Sequence, residues 1–129
     1  MIKLYNMTVD EIKESNTLIV DFLDWEWHKS CNGDVVWMPD IYFDGTISKS
    51  VTTRHISECK FDTDWNWNLY LFNEVHRKVC IPIIRDNKHL RSLRKLVQET
   101  KKAIVWYHIE DSYKLQVKII EFYNQQFNK

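Results

Sequence analysis

Four cations carry the plainest chemical pattern in this sequence: Arg91, Arg94, Lys95 and Lys102. Arg94, Lys95 and Lys102 stand three, four and eleven residues after Arg91, spacings that lay all four along one stripe of a helix, opposite Leu90, Leu93 and Val97. A row of guanidinium and ammonium groups on a rigid element suits phosphate or an acidic protein face. The same row also suits an ordinary solvated helix face that favours solubility. Neither an RNA-binding aromatic motif nor a helix-turn-helix signature accompanies it.

The second candidate is Trp67. Asp64-Trp65-Asn66-Trp67 echoes Asp24-Trp25-Glu26-Trp27, but two short copies do not make a repeat architecture. On a helix, residues two apart lie about 200° from one another, so Trp65 and Trp67 cannot share one face. With Trp65 placed in a buried stripe beside Leu69 and Phe72, Trp67 points toward another element, a partner or water. It then either packs beneath a neighbouring loop or offers a contact surface, where tryptophan is enriched.

Other chemistries draw less support. His28 with Cys31, His55 with Cys59 and His76 with Cys80 have the spacing of zinc-ligand pairs, yet no Cys-x-x-Cys is present. The competing reading makes the cysteines small buried hydrophobes and the histidines surface or capping groups. The expectation is therefore no metal and no cofactor. There is no Gly-x-Ser-x-Gly elbow, no Gly-rich phosphate loop and no His-Glu-x-x-His helix. Carboxylates are plentiful in the first half, but Asp10, Glu11, Glu14 and Asp21 fall on the expected solvated side of a helix. No residue is singled out as catalytic.

The elements that must position these groups follow from composition and periodicity. The 129 residues are 44% hydrophobic and 14% aromatic with only two glycines and two prolines, a composition that folds and suits one domain over 1–129. No apolar run approaches the roughly eighteen residues needed to span a bilayer, and the first residues lack the apolar region of a signal peptide. Three widely spaced cysteines argue against a disulfide framework, so the expected compartment is the reducing cytoplasm. Net charge is zero, but residues 1–64 carry 12 acidic and 6 basic side chains and residues 65–129 carry 6 and 12. Such asymmetry marks an anion-binding face, or two halves or two subunits that attract one another.

Thr8-Val9-Asp10-Glu11 reads as a capping box opening a helix over about 9–23. Val35–Met38 and Ile41–Phe43 favour strands, with Pro39 forcing an edge or a bulge. Asp44-Gly45 is a hairpin turn into a strand over 46–53. Further helices are expected over 64–78, 88–101 and 112–127, with strands over 79–84 and 103–109. The fold class is α+β, with a mixed or antiparallel sheet of three to five strands and three or four helices packed on it.

Three segments resemble small phage proteins of the phage ABA-sandwich-like (helix–sheet–helix) type. They are Asn16-Thr17-Leu18-Ile19-Val20-Asp21-Phe22-Leu23, Phe61-Asp62-Thr63-Asp64-Trp65-Asn66-Trp67 and Ile119-Ile120-Glu121-Phe122-Tyr123-Asn124. The middle one resembles an aromatic-x-Ser-Ser/Asp-Trp-Asp/Asn-Trp segment that opens a helix in those proteins. This chain departs in having Asn68-Leu69-Tyr70-Leu71 where they carry an apolar-Pro-Val-Val run, and in its basic stretch over 85–102. The resemblance implies the fold and a phage or prophage setting in the cytoplasm of an infected or lysogenic host. It brings no catalytic residues. Together these readings favour a non-catalytic accessory protein that binds a host protein or an anionic nucleotide-like ligand through Arg91, Arg94, Lys95, Lys102 and Trp67, with no membrane partner; self-association stays open. The alternative is a small nuclease or phosphoesterase using first-half carboxylates with His28 or His55.

Overall fold

The computed structural model describes residues 7–28, 35–44, 46–80 and 90–127. Its first helix, α1 (Val9–Phe22), opens on the expected capping box. The Glu11 N–H donates to Thr8 Oγ1 at 3.1 Å and the Thr8 N–H donates to Glu11 Oε1 at 2.9 Å, so two of the helix's orphan donors are satisfied reciprocally. The helix ends in a left-handed residue, Asp24 (φ 60°), with Trp25 N–H donating to Val20 O at 3.1 Å and Asp24 N–H to Asp21 O at 3.2 Å. This is a Schellman stop without glycine. Lys78 Nζ completes it, donating to Phe22 O at 2.6 Å and to Asp24 at 3.0 Å, which places a cation at the negative end of the helix.

β1 (Val35–Ile41) and β2 (Ile47–His55) form an antiparallel hairpin in which Val36 faces Arg54 and Met38 faces Thr52. The register shifts between Pro39 and Ile41, the irregularity that a proline without a donor N–H imposes. Asp44 closes the turn by accepting from Thr46 N–H at 3.0 Å and Thr46 Oγ1 at 2.6 Å. Val36 and Met38 face the core, whereas β2 is exposed along nearly its whole length.

A 3₁₀ turn, Ile56–Glu58, leads to α2 (Trp65–Val75), whose first turn is capped by Asp64 accepting from Asn66 N–H at 2.8 Å. A π-helical turn, His76–Cys80, follows it. The chain is described again from α3 (Leu90–Val105), which runs through a tight corner into α4 (Ile109–Phe127). The described residues thus hold four α-helices and one two-stranded antiparallel sheet, an α+β architecture. Among them no helix is long and apolar enough to cross a membrane.

Two expected strands differ from the structure. Val79 and Cys80 belong to the π-helical turn, while 81–84 lie outside the described residues. Residues 103–109 form no strand. Ala103–Val105 complete α3, Trp106 and Tyr107 make the corner, and Ile109 opens α4. The reason is periodicity. Leu93, Thr100 and Ala103 are buried and Leu96, Val97 and Ile104 half-buried, so a helical stripe already under way continues to residue 104 and overrides a β-favouring composition.

α1, α2 and α4 enclose the core with one face of β1, and Ile19, Val20, Leu71, Val75, Ile119 and Ile120 have no exposed surface. A polar network crosses this interior. Ser112 Oγ donates to Asn68 Oδ1 at 2.6 Å, Gln116 Nε2 donates to the same oxygen at 3.0 Å, and Asn68 Nδ2 donates to Phe61 O at 2.8 Å. Tyr113 Oη donates to Asn16 Oδ1 at 2.8 Å, tying α4 to α1. Nearly all of these buried polar atoms are satisfied, which is the condition for holding them inside.

Candidate functional site

The basic stripe lies where the sequence places it. Arg94, Lys95 and Lys102 are exposed on α3, on the side of the helix opposite buried Leu93 and Thr100. Arg91 holds a position on the same line of the helix, and its side chain lies outside the described residues. Thr100 Oγ1 donates to Leu96 O at 2.8 Å, so the one polar residue of the inward face is satisfied by its own helix. Three other cations hold carboxylates. Arg54 pairs with Asp40, Arg77 with Glu74 and Lys78 with Asp24. Among the described residues no such pair engages Arg94, Lys95 or Lys102.

The stripe runs toward a corner that the sequence reading missed. Tyr107 adopts φ 58°, Tyr107 N–H donates to Ile104 O at 3.1 Å and His108 N–H to Ala103 O at 2.8 Å. This second Schellman stop leaves three consecutive apolar or aromatic side chains in solvent: Val105 is 68% exposed, Trp106 67% and Tyr107 80%. Tyr107 meets Trp65 edge to face with ring centroids 6.3 Å apart, which ties the corner to α2. Beside it, a groove of about 480 Å³ opens between α3 and α4. Glu99, Lys102 and Trp106 line one wall, and His108, Asp111, Lys114 and Lys118 line the other. His108 Nδ1 lies 3.6 Å from Asp111, one helical turn away. The available signal was the helical stripe ending at 104, which puts 105–107 off the buried face.

Trp67 lies elsewhere and faces inward. It is only 6% exposed, whereas Trp65 is half-buried and Leu69 exposed, the reverse of the expected stripe. The buried face of α2 is Trp67, Asn68, Tyr70, Leu71 and Val75. Trp67 meets Phe61 edge to face at 5.0 Å and Trp25 at 6.1 Å. The two Asp-Trp echoes therefore meet in one aromatic cluster, and that cluster decides which tryptophan turns in. Trp67 is a core residue and not part of a contact surface.

Groups considered for hydrolysis have structural partners. His55 Nδ1 accepts from Ser57 N–H at 3.1 Å while Glu58 accepts from His55 N–H at 3.1 Å, so this imidazole caps the 3₁₀ turn. His28 stacks flat on Trp37 with centroids 5.5 Å apart. Cys59 is buried, and burial first, then Asp62 and Glu58, push its thiol up to about 12, the opposite of an activated nucleophile. Asp10, Glu11, Glu14 and Asp21 are exposed, and Asp62 has its carboxyl raised by burial. Among the described residues no three His, Cys, Asp or Glu side chains come together as metal ligands would. Comparison with protein-family models, curated proteins and solved structures finds no match.

Proposed function

We propose that this chain is a non-catalytic binding protein that holds an anionic ligand or an acidic host-protein face on the exposed side of α3. The observation that carries the reading is the clustering of exposed cations on one rigid helix. Arg94, Lys95 and Lys102 stand exposed within three turns of α3 without an ion pair among the described residues. A preorganised row of cations recognises a row of anions at small entropic cost, because the helix already fixes the spacing. The phage or mobile-element setting, and action inside an infected bacterial host, rest on the resemblance of Phe61–Trp67 and its two companion segments. The wider sheet of three to five strands rests on the β-favouring runs of the sequence.

Charge reversal tests the reading. Arg94→Glu with Lys95→Glu should abolish capture of the partner from host extract while the melting temperature stays within a few degrees, since neither side chain is buried. The wild-type complex should weaken as salt rises from about 50 to about 300 mM, because exposed charges are screened within about 10 Å at 0.1 M. An unchanged complex and an unchanged salt response would reduce the stripe to a solvated helix face. The hydrolytic alternative has less support, since His55 and His28, its two histidines, cap a turn and stack on an indole.

A further inference from the structure

We propose that the groove at the α3–α4 corner is a subsite for a nucleobase and its phosphate, with Trp106 as the stacking surface and Lys102 and Lys118 as the phosphate ligands. The inference rests on the anionic reading of α3 and names the ligand class that this face takes.

Three observations converge on it. The first is the exposed indole. Burying a tryptophan removes a large apolar area from water, and Trp106 forgoes most of that gain at 67% exposure. Its ring lines the groove together with ammonium groups, the combination by which proteins hold single-stranded nucleic acid without reading its sequence. The second is placement. Trp106 N–H donates to Lys102 O at 3.1 Å, so the indole stands one helical turn beyond that ammonium group, and Lys114 and Lys118 face it from successive turns of α4. The groove, about 480 Å³ and open to solvent, leaves room for a ring laid on the indole. The third is rigidity. Tyr107 occupies the left-handed region at φ 58°, two backbone bonds close the corner, and the Tyr107 ring rests edge-on against Trp65. A bulky residue in that conformation is strained, and the corner holds it there.

The acids in the groove fit the same ligand. Asp111 has His108 at 3.6 Å, and a carboxylate beside a stacking surface accepts hydrogen bonds from the exocyclic amines of a base. Glu99 is the second acid of the lining, and Lys102, Lys114 and Lys118 outnumber the two. A protein partner docking here would bury Val105, Trp106 and Tyr107 together. A base stacked on the indole would leave Val105 in water.

The experiment is equilibrium binding by fluorescence anisotropy, using a labelled oligodeoxyadenosine of about 12 nucleotides. Unlabelled ATP and inorganic polyphosphate serve as competitors. The oligonucleotide should bind one to one, Trp106→Ala should weaken it about tenfold or more, and Trp106→Phe should restore most of the loss. Lys102→Gln with Lys118→Gln should weaken binding and flatten its dependence on salt. Competition by ATP at concentrations similar to the strand would assign the site to free nucleotides. Failure of ATP to compete would assign it to a strand. Base-free polyphosphate competing as well as either, with Trp106→Ala within twofold of wild type, would overturn the stacking subsite and leave the anionic face standing. Capture of an acidic protein with no binding of oligonucleotide or ATP would overturn it likewise. No binding of any anion at about 50 mM salt, together with no partner from host extract, would remove both this inference and the reading beneath it.

Discussion

Trp67 and Trp106 show how little a residue type says about its task. Both are tryptophans on helices, yet one fills the aromatic cluster with Trp25 and Phe61 and the other stands in solvent. Trp67→Ala should therefore destabilise the fold by about 3–5 kcal/mol, the range for emptying a buried aromatic site, and lower the melting temperature accordingly. Trp106→Ala should leave stability within about 0.5 kcal/mol of wild type, as surface changes do. Thermal melts of the two variants side by side check both values. The sequence was enough to show that Trp65 and Trp67 cannot share a face, because a two-residue step is a matter of helix geometry. It was not enough to show which one turns inward, because Phe61 and Trp25 make that choice from outside the helix. The cationic stripe was legible for the opposite reason. Its spacing is internal to α3, and exposed side chains need no partner to settle where they point.

At the scale of elements, local chemistry predicted well wherever one segment carried the whole instruction. The Thr8/Glu11 box opened α1, Pro39 broke the register of β1, and Asp44 closed the hairpin. The run over 103–109 misled because its composition favours a strand while the ten residues before it already ran as an amphipathic helix. The stop that ends this helix is equally hard to read, since Tyr107 occupies the place usually given to glycine. Tyr107→Val should thus be less stable than Tyr107→Gly by about 1–2 kcal/mol, because both lose the Trp65 contact and only glycine adopts positive φ freely. Denaturant unfolding of the two variants measures the difference, and equal midpoints would mean that the corner does not hold a left-handed residue.

For the whole molecule, two buried hydroxyl and thiol groups set a limit at high pH. The Cys59 thiol, with an ordinary value of 9.0, is held to about 12 by burial, and the Tyr113 phenol is likewise pushed up, first by burial and then by Asp62. Between those two thiol values the unfolded chain has released a proton that the folded chain retains. The stability present below about pH 9 therefore falls as pH rises toward 12. Urea midpoints should decline across that range, and Cys59 should resist alkylation until the chain unfolds. A midpoint unchanged between about pH 8 and pH 11 would contradict the burial of both groups. Tyr113 has a further consequence through its partner. It donates to Asn16, a residue 97 positions earlier, across the contact between α4 and α1. A ribosome adds about 5–20 residues each second, so on the order of 5–20 s separates the two partners during synthesis. For that interval α1 has its cap and the 3₁₀ turn Ile56–Glu58 to pack against, but not α4. The contact that Tyr113 makes with Asn16 therefore closes only after α4 has been synthesised.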